Sequence, residues 1–208
     1  MVSGGIKDSS DEFYRNMLNN SGFKIACDSG ISIFRKLNIL PDLFLGDMDS
    51  CSRDDYKWAE ANKVKIYKLK PEKDELDTEI ALKYCAENNI NDVYLTGMTG
   101  DRIDHVIGGI YLISEYTEIN PKIAEEYLEI GIVNNENKSF LCSPDETWSV
   151  IQLDKNVKVT LKGFKYPLTD YVFKNKIPLG ISNVTLGEKA EIISDNGKVF
   201  YVRWLKKV

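Results

Sequence analysis

Two aspartates one residue apart, in Gly46-Asp47-Met48-Asp49, are where the chemistry of this sequence begins. On an extended segment, side chains at i and i+2 share a side, so the two carboxylates crowd unless a cation neutralises them. Magnesium suits such a pair, because it takes few carboxylates and fills its shell with phosphate oxygens and water, as in a metal–nucleotide complex. The pair by itself is a common pattern, and turn or capping carboxylates on a solvated loop would look the same. A second cluster, Lys73-Asp74-Glu75-Leu76-Asp77, sets a cation among three acids at the entrance to a helix. Asp74 or Asp77 could cap that helix; in the functional reading Asp77 completes the metal site and Lys73 faces phosphate, which a helix N-terminus also favours. The third cluster runs from Gly97 to His105, Gly-Met-Thr-Gly-Asp-Arg-Ile-Asp-His. Its glycines let backbone N–H groups approach a phosphate, and Arg102 offers a fork that grips one through two hydrogen bonds. His105, the only histidine, reads more simply as a hydrogen-bonded helix residue than as a catalytic base.

Each cluster directly follows a short apolar run, and that placement suggests how the chain brings them together. FKIAC (23–27), DLFLG (42–46), VKIYKL (64–69), DVYLTG (92–97) and YLEIGIV (127–133) alternate with segments of helical length. Capping boxes are expected at Ser9 with Glu12 and at Ser52 with Asp55, and Ile80, Tyr84 and Cys85 share one helical face. This alternation predicts an α/β domain, a parallel sheet with helices on both faces, over residues 1–135. In such sheets ligands bind beyond the carboxyl ends of the strands, so the clusters after successive runs converge on one crevice. From residue 136 the runs shorten and alternate, as in TWSVIQL, VKVTLKGF, KAEIIS and KVFYVRWL, with turn signals between them. An all-β sandwich over residues 136–208 is the expected product.

Composition narrows the partners. Lys and Arg number 27 against 32 Asp and Glu in 208 residues, a net charge of −5 that gives no broad footprint for nucleic acid or an anionic membrane. No run of 18 apolar residues appears, and the opening MVSGGIKDSSDEF lacks the basic and apolar regions of a secretory signal, so a cytoplasmic protein is expected. Cys27, Cys51, Cys85 and Cys142 are widely spaced beside apolar stretches and read as reduced, structural thiols.

Taken in order, the segments ACDSGISIFRKLNILPDLFLGDMDS, KDELDTEIAL, GMTGDRIDH, and LKGFKYPL followed by GISN resemble the thiamine pyrophosphokinase family from Ile25 to Leu205. The resemblance implies an enzyme that transfers pyrophosphate from ATP to the hydroxyl of thiamine, with magnesium as cofactor. It further implies a homodimer whose active sites are shared, thiamine lying where one subunit's sandwich meets the partner's α/β domain. Carried over by position, Asp47, Asp49 and Asp77 resemble the magnesium-binding acids. Asp28, Lys73, Asp74, Arg102, Asp104 and His105 resemble the nucleotide and phosphate set, and Ser182 and Asn183 the pair that meets the thiamine pyrimidine. Three positions depart from the family pattern: Leu76 stands where Thr is usual, Gly108-Gly109 replaces a usual Asn, and Cys27 replaces a small alanine. The lead before Ser3-Gly4-Gly5 is also short, so an abbreviated first strand is expected.

Such a transfer asks the protein mainly for positioning and charge neutralisation, with Lys73 and Arg102 stabilising the transferred group. Asp74 or Asp104 could accept the hydroxyl proton, or no base is needed. Two rivals use the same acids: a DxD-type nucleotide-sugar transferase and a non-catalytic nucleotide-binding module. The first leaves GISN and the sandwich unexplained.

Overall fold

The computed structural model describes residues 1–5, 8–70, 75–100, 102–173 and 179–205. The chain divides into two compact units, Met1–Leu112 with Glu118–Glu126, and Ile113–Thr117 with Tyr127–Val208.

In the first unit, β1 (Ile25–Cys27), β2 (Leu43–Gly46) and β3 (Ile66–Lys68) form a parallel sheet in that order, and β4 (Tyr94–Leu95) pairs in parallel with β5 (Lys122–Glu125). A single residue splices the two. Val2 bridges Ala26 on one side and Thr96 on the other, through Val2 N–H to Ile25 (2.9 Å), Cys27 N–H to Val2 (2.9 Å) and Ser3 N–H to Thr96 (2.8 Å). The abbreviated first strand is therefore one residue long, and it sits at the centre. Successive strands move outward from Val2 through β1 and β2 to β3, then resume on its other side with β4 and β5. That reversal is the topological switch point at which open α/β sheets hold their ligands.

Helices α1 (Asp11–Asn19), α2 (Ile31–Leu37) and α3 (Arg53–Ala61) place Tyr14, Leu18, Ile31, Phe34 and Ala59 in one core with Val2, Ala26 and Phe44. The strand neighbours Ile25, Cys27, Leu43 and Leu45 are equally buried and, by the period of two, face the other way. There α4 (Asp77–Glu87) contacts β1 and β2 and buries Ala81, Leu82 and Cys85, while Ile80 and Tyr84 stay half-buried. The cap of α3 is as expected: Ser52 Oγ accepts from Asp55 N–H (3.1 Å) and donates to its carboxylate (2.6 Å). At α1 the cap is Ser10, whose Oγ accepts from Phe13 N–H (3.2 Å), and Ser9 is diverted to Glu125. A buried acid outcompetes the local box. The fifth helix, α5, runs Ile103–Glu115.

The second unit is an antiparallel sandwich. Its strands are β6 (Leu128–Asn134), β7 (Asn137–Leu141), β8 (Thr147–Gln152), β9 (Lys158–Lys162), β10 (Leu168–Val172), β11 (Gly180–Val184), β12 (Lys189–Asp195) and β13 (Lys198–Trp204). One layer reads β10-β9-β12-β7, the other β11-β8-β13-β6. The run 127–133, which the alternation sets with the first domain, pairs with β13 along its length, and the compact units part after Glu126. Trp148 is fully buried, with ring centroids 5.0 Å from Phe140, 5.5 Å from Tyr201 and 5.8 Å from Phe164.

Arg203 lies 5.1 Å from the Trp148 ring and donates to both oxygens of Glu146 (2.8 and 3.0 Å). Burial pushes the Glu146 carboxyl up, but the hydrogen bonds from Arg203 and from Ser143 N–H outweigh it and leave the group below its ordinary value. Arg203→Met is expected to destabilise the protein by about 2 kcal/mol at pH 7, since it strands a mostly buried acid. A depressed folded pKa gives stability above the unfolded value of 4.5 that fades as pH falls through the folded one. Denaturant unfolding at pH 7 and pH 3 should therefore show the wild-type advantage shrinking at pH 3; an equal gap would make the interaction one of packing alone.

Candidate functional site

A crevice of about 690 Å³ opens at the switch point. Its walls come from the loops that follow Val2 (Ser3 to Gly5), β1 (Asp28), β2 (Ser50) and β4 (Gly97 to Gly100), from the start of α4 (Leu76, Asp77, Thr78), and from Arg102, Asp104, His105, Gly108, Gly109 and Leu112. Every wall belongs to the first unit.

Asp28, Asp47 and Asp77 are half-buried, and each offers a carboxylate oxygen within 4.8 Å of the others. Local backbone makes this possible. Asp28 occupies a left-handed turn (φ 46°) directly after β1, and its Oδ1 lies where a side chain on residue 46 would begin: a Cβ on Gly46 would sit 1.9 Å from it. Only glycine fits there, and its φ of 151° also favours glycine. Asp77 is the first residue of α4, so its acid sits at the positive end of the helix. Three acids so placed, open to water and a ligand, suit a small divalent cation that completes its shell with phosphate oxygens.

Asp49 departs from the expected side-by-side geometry. Met48 takes φ 69°, so the segment turns instead of extending, and Asp47 Oδ1 accepts the Asp49 N–H (3.0 Å). The alternation on which same-side carboxylates depend is thereby broken. Asp49 is exposed next to Asp47, whose hydrogen bond and charge hold the Asp49 carboxyl above its ordinary value. The three-acid group among the described residues contains Asp28 in its place.

The Arg102 fork closes on Asp104, Nε to Oδ1 at 2.9 Å and Nη2 to Oδ2 at 2.6 Å, and holds that carboxyl well below the usual range. Both side chains are mostly exposed, so the pair opens at little cost. His105 is exposed in the first turn of α5, with its N–H bonded to the Arg102 carbonyl (3.0 Å). Leu76 takes the N-cap position of α4 with no side-chain cap and is 55% exposed at the crevice edge. Lys73 and Asp74 lie outside the described residues.

Sequence reasoning missed Glu125. At the end of β5 and 2% exposed, it accepts Gly97 N–H (2.8 Å) and Met98 N–H (3.1 Å) on Oε1, and Thr96 Oγ1 (2.8 Å) and Ser9 Oγ (3.0 Å) on Oε2. Its signal was an acid directly after the short apolar pair Ile123-Ala124, at a strand's carboxyl end. The N–H groups of Gly97 and Met98, which the glycine pattern offers to a phosphate, are turned to this buried acid.

In the second unit, Ser182 is exposed in β11 at φ 57°, and its N–H donates to Ser149 Oγ (3.2 Å). Asn183 is 4% exposed; its Oδ1 accepts from the N–H groups of Tyr166 (3.0 Å) and Val184 (2.9 Å), and its Nδ2 donates to the Tyr166 carbonyl (2.8 Å). Its amide thus binds the Phe164–Tyr166 loop down.

Comparisons with known proteins cover both units. The model of the thiamin pyrophosphokinase catalytic domain matches residues 14–124, and that of the thiamin pyrophosphokinase vitamin B1 binding domain matches residues 133–199. The chain is similar to a thiamine pyrophosphokinase of Bacillus subtilis (strain 168), 26% identical over 190 residues and 86% of each protein. A solved thiamin pyrophosphokinase from Geobacillus thermodenitrificans matches at 25% identity and TM-score 0.85, over 99% of this chain and 96% of that one. The Candida albicans structure shares the fold at 12% identity, with TM-score 0.82 over 99% of this chain and 88% of that one.

If the acids act as a group, Asp28→Asn and Asp77→Asn should each weaken Mn²⁺ binding by about 10-fold or more, the scale on which even outer partners of a metal matter. Asp49→Asn should weaken it less. Calorimetric titration of the three variants decides the order, and an Asp49→Asn loss equal to the others would return Asp49 to the ligand set.

Proposed function

Because the chain belongs to the thiamin pyrophosphokinase family, we propose that it transfers the pyrophosphoryl group of ATP to the hydroxyl of thiamine, giving thiamine diphosphate and AMP. The observation that carries this reading onto the chain's own residues is the meeting of Asp28, Asp47 and Asp77, the first and last of which line a crevice large enough for a nucleotide. Magnesium, when bound by these acids, neutralises phosphate charge and orients the transferred group. Asp49, next to Asp47, is kept in the proposed set as a neighbour of the metal. Arg102 exchanges Asp104 for phosphate oxygens, a fork-to-fork substitution that preserves both hydrogen bonds. The glycine-lined loop 97–100 and His105 border the same phosphates, and Lys73 and Asp74 are assigned to them by the resemblance. The thiamine oxygen attacks the β-phosphorus in line, and AMP leaves. The hydroxyl proton departs late in a loose transition state, so the transfer asks for no strong base.

A nucleotide-sugar transferase would leave the vitamin B1 binding match at 133–199 without a role. No helix among the described residues is long and apolar enough to cross a membrane, in keeping with a cytoplasmic enzyme. Release of AMP from magnesium-ATP, measured with and without thiamine, tests the function. Thiamine-dependent AMP is expected, and thiamine-independent hydrolysis or none would overturn it.

The same family reading makes the enzyme a homodimer in which Ser182 and the Asn183-held loop serve the partner's acids. Exposed Ile103, Ile107 and Tyr111, at helical spacing along α5, support a covered face. A mixture of Asp77→Asn and Ser182→Arg proteins, each inactive alone, should regain activity after subunit exchange, since half the sites of a mixed dimer carry no lesion. No recovery in proven heterodimers would place both substrates on one chain.

A further inference from the structure

We propose that Glu125 is a positioning residue of this site: it sets the path of the 97–100 loop and so the distance between that wall of the crevice and the three acids. The inference rests on the phosphotransfer reading above, which assigns the loop to the phosphates.

The bonds themselves argue for it. Glu125 is buried to 2% exposure at the end of β5, and the four hydrogen bonds it accepts come from two hydroxyls and two backbone amides. A carboxylate buried in this way is costly unless every lone pair is used, and here both oxygens accept two bonds each. Its purpose in the fold is not to cap a core, because Gly97 and Met98 line the crevice. Gly97 takes φ 70°, and its carbonyl in turn accepts Gly5 N–H (3.0 Å). One acid therefore governs two crevice walls, the loop after β4 directly and the loop after Val2 through Gly97. The Met98 side chain continues the linkage to α5, ending where a Cβ on Gly109 would meet its Cε at 2.7 Å. Arg102 and His105 stand on that helix's first turn and on the approach to it.

Geometry, not charge, is the useful property. A negative charge behind a phosphate-binding wall repels the phosphate, so the carboxylate contributes by offering two acceptors at the correct reach. A glutamine of the same length keeps them: its oxygen can take the two amides while its NH₂ donates to the Ser9 and Thr96 hydroxyls, which also accept. Aspartate keeps the charge and falls short. Alanine strands both amides.

The test compares wild type with Glu125→Gln, Glu125→Asp and Glu125→Ala, and with Ser194→Ala as a stability control. Ser194 is buried in the second unit, bonded to the Val133 carbonyl and the Asn135 N–H, and neither it nor these partners line the crevice. KM for magnesium-ATP and for thiamine, kcat, melting temperature and the calorimetric Kd of magnesium-ATP are measured well below the lowest melting point. Glu125→Gln should stay within about 3-fold of wild type, whereas Glu125→Asp and Glu125→Ala should raise the ATP KM or lower kcat by about 10- to 100-fold, the scale of a small misplacement of positioning groups. The thiamine KM should not follow. Should Glu125→Ala fail to fold, Glu125→Asp carries the comparison. The proposal is overturned if Asp and Ala leave ATP kinetics and Kd unchanged, if Gln is as damaging as Ala, or if all losses scale with melting temperature as they do for Ser194→Ala. A wild type that makes no thiamine-dependent AMP would instead sink the functional reading, and the Kd series would still decide Glu125.

Discussion

Mutual repulsion among Asp28, Asp47 and Asp77 is the constraint around which the first unit is built. Like charges whose oxygens can all lie within 4.8 Å of one another repel by about 3 kcal/mol or more per pair at an effective dielectric of 20, less where water reaches them. Side chains free to relax would separate. Here the backbone prevents it: Asp28 is wedged against a bare Gly46, Met48 turns the chain so that Asp47 points back, and Asp77 is anchored at the start of a helix packed on the sheet. Folding stability from the helix and strand cores thus holds together a group that would otherwise disperse, which is the arrangement a cation-binding site requires.

The sheet order explains why those acids meet although they are far apart in sequence. Parallel strands end at the same edge, and the single-residue bridge at Val2 puts the reversal of strand order between β1 and β4. The convergence of the clusters on one crevice was legible, because each directly follows an apolar run and the α/β alternation is strong; the strand order and the Val2 bridge were not. What misled was the local geometry between Asp47 and Asp49. The same-side inference presumes extended backbone, and nothing in Gly-Asp-Met-Asp announces a left-handed methionine. Asp28 was seen but not placed with the metal acids, since only the turn after β1 swings it under Gly46.

Glu125 escaped for a different reason. β5 has four residues, and its apolar content is Ile123 and Ala124. A following run, 127–133, had the stronger strand pattern and drew the domain boundary past it, although that run pairs with β13 in the sandwich. Period-two alternation identifies a strand without saying which sheet it joins; long-range pairing decides that. Asn183 shows the converse limit. The motif GISN marks it by resemblance for a ligand, whereas in the structure its amide bonds the Tyr166 and Val184 backbone and holds the loop before β10.

Arg102 and Asp104 add a last element of order to the crevice. A bidentate pair that is mostly exposed on both sides adds little to stability, because water and salt compete with it. Charge-assisted bonds from the same fork to phosphate, its proposed ligand, would be stronger, since the phosphate carries more charge. Asp104 therefore aims the fork, planar by its own resonance, along the first turn of α5 without holding it tightly. The side-chain ordering that phosphate binding would otherwise demand of a long arginine is already in place, and little has to be broken when the ligand arrives.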